Sequence, residues 1–126
     1  MIVRNYVFVI LQTGSSVGEG ISTWHAAPPP RSRGRDEWYR FQVETSKNYP
    51  LPELGTLLCG GLDRHIEHHL WPDLPPRRLR GLSARVRALC AKHGVRYVEH
   101  PSAWASYVDS FRTLLRLSWP AGRRSA

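Results

Sequence analysis

The chain has 126 residues, room for a single compact domain at most, and 41% of them are hydrophobic, enough for a modest core. Sixteen arginines and two lysines against ten acidic residues give a net charge of +8, which points to anionic partners: a phospholipid surface, an acidic electron donor or nucleic acid. Two cysteines, Cys59 and Cys90, are too few for a disulfide framework and read as reduced thiols.

The chain opens on an apolar stretch, Ile2 to Leu11, interrupted by Arg4 and Asn5. A bilayer span needs about 20 apolar residues, so this stretch reads as the end of a span that starts elsewhere, not as a signal peptide. Helix is predicted from residue 2 to about 25 despite Gly14, Gly18 and Gly20. Residues 26–35, rich in Pro, Gly and Arg, form a connector. Asp36 to about Lys47 is predicted to be a short helix with acidic residues near its positive end. Pro50 and Pro52 interrupt, and Leu54 to about His69 is predicted helical on either side of the Gly60-Gly61 pair. After a break at Pro72–Pro76, Arg77–Lys92 carries Leu79, Leu82, Val86, Leu89 and Cys90 near the helical period, and Gly94 stops it. Val95–Val98 is short and extended. Ser102 caps a last helix whose apolar stripe is Trp104, Val108, Phe111, Leu114 and Leu115 and which ends at Pro120. The tail, 121–126, is predicted to be disordered.

Chemistry concentrates at His65-Ile66-Glu67-His68-His69. Positions i, i+3 and i+4 share one face of a helical turn. Neutral imidazole is the commonest side-chain metal ligand and suits iron, copper and zinc, so the cluster reads as a metal site. Set in Gly60-Gly61-Leu62-Asp63-Arg64-His65-Ile66-Glu67-His68-His69-Leu70-Trp71-Pro72, it resembles the last histidine box of the membrane-bound fatty acid desaturases. His65 stands where the front-end branch often has Gln. Glu37-Trp38-Tyr39-Arg40-Phe41-Gln42 upstream and Leu89-Cys90-Ala91-Lys92-His93-Gly94-Val95-Arg96-Tyr97 downstream resemble further blocks of that family, and the similarity runs over roughly residues 5 to 118.

The resemblance implies a mainly α fold: the C-terminal helical portion of a di-iron membrane desaturase, spanning residues 1–120. Residues 1–25 would end a transmembrane helix, and residues 36–120 would form the cytosolic histidine-box region. It implies iron held by His65, His68 and His69, with His25 as a further ligand at the end of the span. Arginine enrichment after the first apolar stretch predicts that the histidine box faces the cytoplasm. O2, an acyl lipid or acyl thioester, and an electron donor such as ferredoxin or a cytochrome would be its partners. Removing hydrogen from an unactivated alkyl chain needs an oxidant that iron with O2 supplies and no side chain does. The family's two earlier boxes, HxxxH and HxxHH, do not occur in this sequence. The chain therefore reads as part of a desaturase, inactive alone.

Among neighbours of the box, Glu67 is expected to accept a hydrogen bond from a ligand histidine. Asp63 and Arg64 are expected to form an exposed pair, and Trp38 and Gln42 to pack or support. His93, at a helix end, and His100 fall outside the ligand pattern. A related lipid hydroxylase shares the same framework. A non-catalytic basic module binding membrane or nucleic acid is the reading from another class. No zinc-finger spacing or other recognised nucleic-acid motif accompanies the arginines, so nucleic acid is not an expected partner.

Overall fold

The computed structural model describes Thr13, residues 16–18 and residues 34–118. Over residues 34–118 the elements are α1 (Arg35–Glu44), β1 (Lys47–Asn48), α2 (Glu53–Leu58), a 3-10 turn (Leu62–Arg64), α3 (His65–Leu70), α4 (Pro76–Lys92), β2 (Val98–Glu99) and α5 (Ala103–Ser118). The mainly α expectation holds across them. The predicted membrane-helix end, most of the connector, the stop at Pro120 and the tail lie outside the described residues. Among the described residues no helix is long and apolar enough to cross a membrane.

Local chemistry sets these boundaries. α1 carries Asp36 and Glu37 in its first turn, where the helix dipole favours negative charge. It ends at Thr45, whose hydroxyl donates to the Phe41 carbonyl at 2.7 Å. α4 begins at Pro76, whose fixed φ suits a first helical position. It stops before Gly94, at φ 64°. Ser102 caps α5 through its hydroxyl, 3.1 Å from the Ala105 N–H. The predicted extended segment shifts slightly, to Val98–Glu99. It pairs in parallel with β1, Lys47 opposite Val98 and Asn48 opposite Glu99.

Gly60 and Gly61 have φ 65° and 84°, in the left-handed region that side chains disfavour. At Gly61 space is also short, since a Cβ there would stand 3.0 Å from Leu79 Cδ1 and 3.2 Å from Pro76 Cβ. The pair turns the chain sharply from α2 into α3 and lets that turn lie against the start of α4.

The core is small. Ile66 of α3, fully buried, packs with Val43 of α1 and with Val86 and Cys90 of α4. Leu70, Leu82, Val95 and Tyr97 close around them. Leu89 departs from its predicted place: it sits at the edge of the α4 stripe and is 55% exposed.

The larger departure is α5, whose predicted core stripe faces outward. Its buried residues are Ser106 and Ser110. The reason is Lys47, a fully buried lysine on β1 that the sequence reading placed at a helix end. Its ammonium donates to the Ser106 carbonyl at 3.2 Å, to Asp109 Oδ2 at 2.9 Å and to Ser110 Oγ at 3.1 Å. A buried charge must be paired and hydrogen-bonded, and only the polar face of α5 can do that. Small serines let the helix come close enough.

Candidate metal centre

α3 is six residues long and cannot hold its own shape. Its position comes from behind. Asn48 Oδ1 accepts the Ile66 N–H at 3.0 Å, and Asn48 Nδ2 donates to Glu67 Oε2 at 2.6 Å. The Tyr97 hydroxyl donates to Glu67 Oε1 at 2.8 Å. Glu67 is fully buried. Burial, followed by the Glu67 charge, holds the Tyr97 phenol protonated, well above its usual range. The expectation that Glu67 would meet a ligand histidine is therefore not what the structure shows. Two positions on from His65, Glu67 lies far around the helix from the histidine face, and it serves as the strut that fixes α3 to β1 and to the segment before β2.

Asp63 and Arg64 are likewise not an exposed pair. Asp63 is fully buried and accepts from Thr56 Oγ1 at 2.9 Å. Arg64 is 7% exposed and donates to Glu99 Oε1 at 2.7 Å. Glu99 also pairs with Arg87 of α4, whose guanidinium lies 5.5 Å from the Tyr97 ring centroid. The entry to α3 is thus tied to α2, β2 and α4 by charge-assisted hydrogen bonds. Trp38 packs edge-on against Tyr39.

On the opposite face, His65 is buried and His68 and His69 are half-buried. The Nε2 atoms of His65 and His69 face each other at 3.0 Å, their rings near perpendicular with centroids 4.4 Å apart. Ser16 Oγ lies 3.1 Å from the same His65 nitrogen, and His65 Nδ1 is buried without a hydrogen-bond partner. His68 stands apart, its ring centroid 6.3 Å and 6.2 Å from those of His65 and His69. The structure therefore brings two of the three box histidines together. Among the described residues, no group of three or more His, Cys, Asp or Glu side chains is gathered to hold an ion. His25 lies outside the described residues.

Burial, with the neighbouring His69 and His68 adding to it, lowers the His65 pKa to about 3. Burial, then His68, lowers that of His69. Both imidazoles are thus held in the neutral form that ligates a metal. Two imidazole nitrogens bound about 2.1 Å from one ion near a right angle stand about 3.0 Å apart, so this pair suits a shared ion. The unpartnered His65 Nδ1 leaves its tautomer free to present Nε2 as an acceptor.

His93 is exposed at the end of α4, and His100 lies 3.4 Å from Asp109, both away from the box. Cys59 and Cys90 are free and buried. A cavity of about 530 Å³ between α1 and α4 is lined by Tyr39, Val43, Leu70, Trp71, Val86 and Leu89 but by no box histidine. Sequence reasoning missed Asn48 and Lys47. Asn48, beside Tyr49-Pro50, reads locally as a turn residue, and nothing near it in sequence signals its distant partners. Tyr97 stood inside a noted block, with its role unassigned.

A family model described as fatty acid desaturase matches residues 1–101. Two relatives are NADPH-dependent stearoyl-CoA 9-desaturases of Mycobacterium tuberculosis, from strains CDC 1551 / Oshkosh and ATCC 25618 / H37Rv. Each is 37% identical to this chain over 86 residues, which cover 68% of this chain and 20% of the relative. The chain spans about a fifth of the length of these relatives. No solved structure matches it.

Proposed function

The chain belongs to the fatty acid desaturase family, and we propose that it is the portion of a desaturase that contributes the last histidine box to the iron site. The observation that carries this reading is the His65–His69 pair, two burial-neutralised imidazoles whose Nε2 atoms face at 3.0 Å. His65, His68 and His69 would hold the iron with His25 and histidines outside this chain, as a di-iron centre. Bound iron would supply the O2 activation that removes two hydrogens from an unactivated alkyl segment.

The chain's own residues prepare that site. Asn48 and Tyr97 lock α3 through Ile66 N and Glu67, so the two ligand nitrogens are positioned before any ion arrives. Burial around His65 keeps protons off the ligand face and excludes water from one side of it.

The relatives' names support a long-chain acyl thioester as the substrate class and NADPH as the source of reducing power; a ferredoxin or a cytochrome as the direct electron donor is part of the same proposal. Arginine enrichment after the first apolar stretch supports a membrane location with the box on the cytoplasmic side. The test is a complete enzyme carrying this chain, expressed in cells, with iron content and unsaturated fatty acid measured before and after His68→Ala. Loss of iron and product is the expected result. Unchanged iron and unchanged product would overturn the reading.

A further inference from the structure

Helix α5 is inside out. Its fully buried residues are polar, Ser106 and Ser110 clasped around Lys47, and most of its large apolar residues are exposed, Tyr107 and Val108 being half-buried. Trp104, Phe111 and Leu115 are 77%, 63% and 50% exposed. They recur at i, i+7 and i+11, on the side of the helix opposite the two serines. Arg112 and Arg116 follow along the flank of the same stripe. Trp104, Val108, Leu115, Arg112 and Arg116 line a shallow groove of about 750 Å³ together with Asp109 and His100 at its inner edge.

We infer that this face of α5 docks on the surface of a membrane containing anionic phospholipid, with the helix axis in the membrane plane. The inference deepens the membrane location proposed above and rests on it. Soluble monomers rarely leave a contiguous apolar patch uncovered. A bare apolar face would fit many occupants, but this one carries its own charge. Two guanidiniums border a largely apolar groove whose one lining carboxylate, Asp109, is already paired with Lys47, which matches an amphiphile with a negative head and apolar tails. Arginine side chains reach outward to headgroup phosphates while their stems lie on apolar surface. Tryptophan favours the boundary between headgroups and acyl chains, where its ring is buried and its N–H stays wet. The net charge of +8 adds long-range attraction toward an anionic leaflet.

The Lys47–Asp109–Ser110 anchor explains how the helix can turn this face outward without losing the fold. The anchor and the Tyr107 ring, packed 5.9 Å from that of the buried Tyr49, hold α5 beside β1, so the exposed side chains Trp104, Phe111 and Leu115 are not needed for that attachment. The histidine helix is fixed to the same strand through Asn48, next to Lys47. Docking α5 therefore sets the height of the histidine box above the membrane surface, where an acyl chain entering from the bilayer would reach it.

The test is co-sedimentation of the full chain with phosphatidylcholine vesicles, with and without phosphatidylserine. The unsubstituted chain should bind, and more tightly when phosphatidylserine is present. The double variant Phe111→Glu/Leu115→Glu should bind at least about tenfold more weakly, since two exposed apolar side chains are removed. Arg112→Gln/Arg116→Gln should lose several-fold on the phosphatidylserine vesicles alone. Helix content by circular dichroism should be unchanged in both, and Trp104→Ser serves as the apolar variant should the glutamates disturb the helix. A chain that binds no vesicle overturns the membrane location itself. A chain that binds vesicles equally well with and without the apolar substitutions overturns this face as the docking surface and leaves the location standing. A dimer that the double variant converts to monomer, with vesicle binding unaltered, assigns the face to a second copy and overturns the proposal.

Discussion

At the residue scale, burial decides what His65 and His69 are. In water an imidazole exchanges its proton near neutral pH; here burial, with neighbouring imidazoles, holds the His65 pKa at about 3. The unfolded chain takes up that proton below about 6.5, while the fold refuses it down to about 3. Over that window the unfolded state binds more protons, so stability falls as pH falls. The metal-free chain should accordingly show an unfolding midpoint that drops as pH is lowered below about 6.5, and His65→Gln should flatten part of that slope. An unchanged slope in the variant would mean that His65 is not buried in neutral form. Ligation is separated from packing by a pair of variants in the complete enzyme. His69→Ala should abolish formation of unsaturated fatty acid, measured in cells per enzyme present, with expression retained. His93→Ala, exposed at a helix end, should keep most activity. Equal loss in both would point to destabilisation.

At the scale of elements, short helices owe their places to their ends. Gly61 is needed twice over, for its φ of 84° and because a Cβ would press on Leu79 and Pro76. Gly60 has the same backbone demand but open space around it. Gly61→Ala should cost about 1–3 kcal/mol in denaturant unfolding, and Gly60→Ala less, near about 1 kcal/mol. Equal losses would show that the contact with α4 is slack. At the other end, Lys47→Met leaves Asp109 without its ammonium and should cost about 3 kcal/mol, with α5 the first segment cut in limited proteolysis. Retention of both stability and protease resistance would mean that α5 is held by contacts other than this anchor. The helices themselves were legible: Gly60-Gly61, Pro76, Gly94 and Ser102 each mark an end that the structure confirms. Which face of α5 turns inward was not legible, because period finds a stripe and cannot say whether the stripe meets a core.

At the scale of the whole molecule, the small core and the two-histidine pairing describe a site prepared for partners beyond the described residues. The purified chain should bind ferrous iron weakly and lose it on dialysis, whereas a complete enzyme carrying this chain should retain it. Iron held by this chain alone as tightly as by the complete enzyme would overturn the proposal that the site is finished from outside. Sequence by itself determined the order of the helices, though not strand β1, together with the position of the histidine box and the family resemblance, because turn residues, helical period and ligand spacing are local properties written within a few residues of one another. Only the tertiary structure decided that Glu67 faces Asn48 and Tyr97 instead of a histidine, that Asp63 and Arg64 are buried, that His65 and His69 meet while His68 stands off, and that α5 shows its apolar side to the outside. Apart from the His65–His69 contact, four positions apart, those outcomes depend on partners 7 to 63 positions away along the chain. A buried lysine or carboxylate takes the polar partner that the fold brings to it, and sequence spacing cannot name that partner.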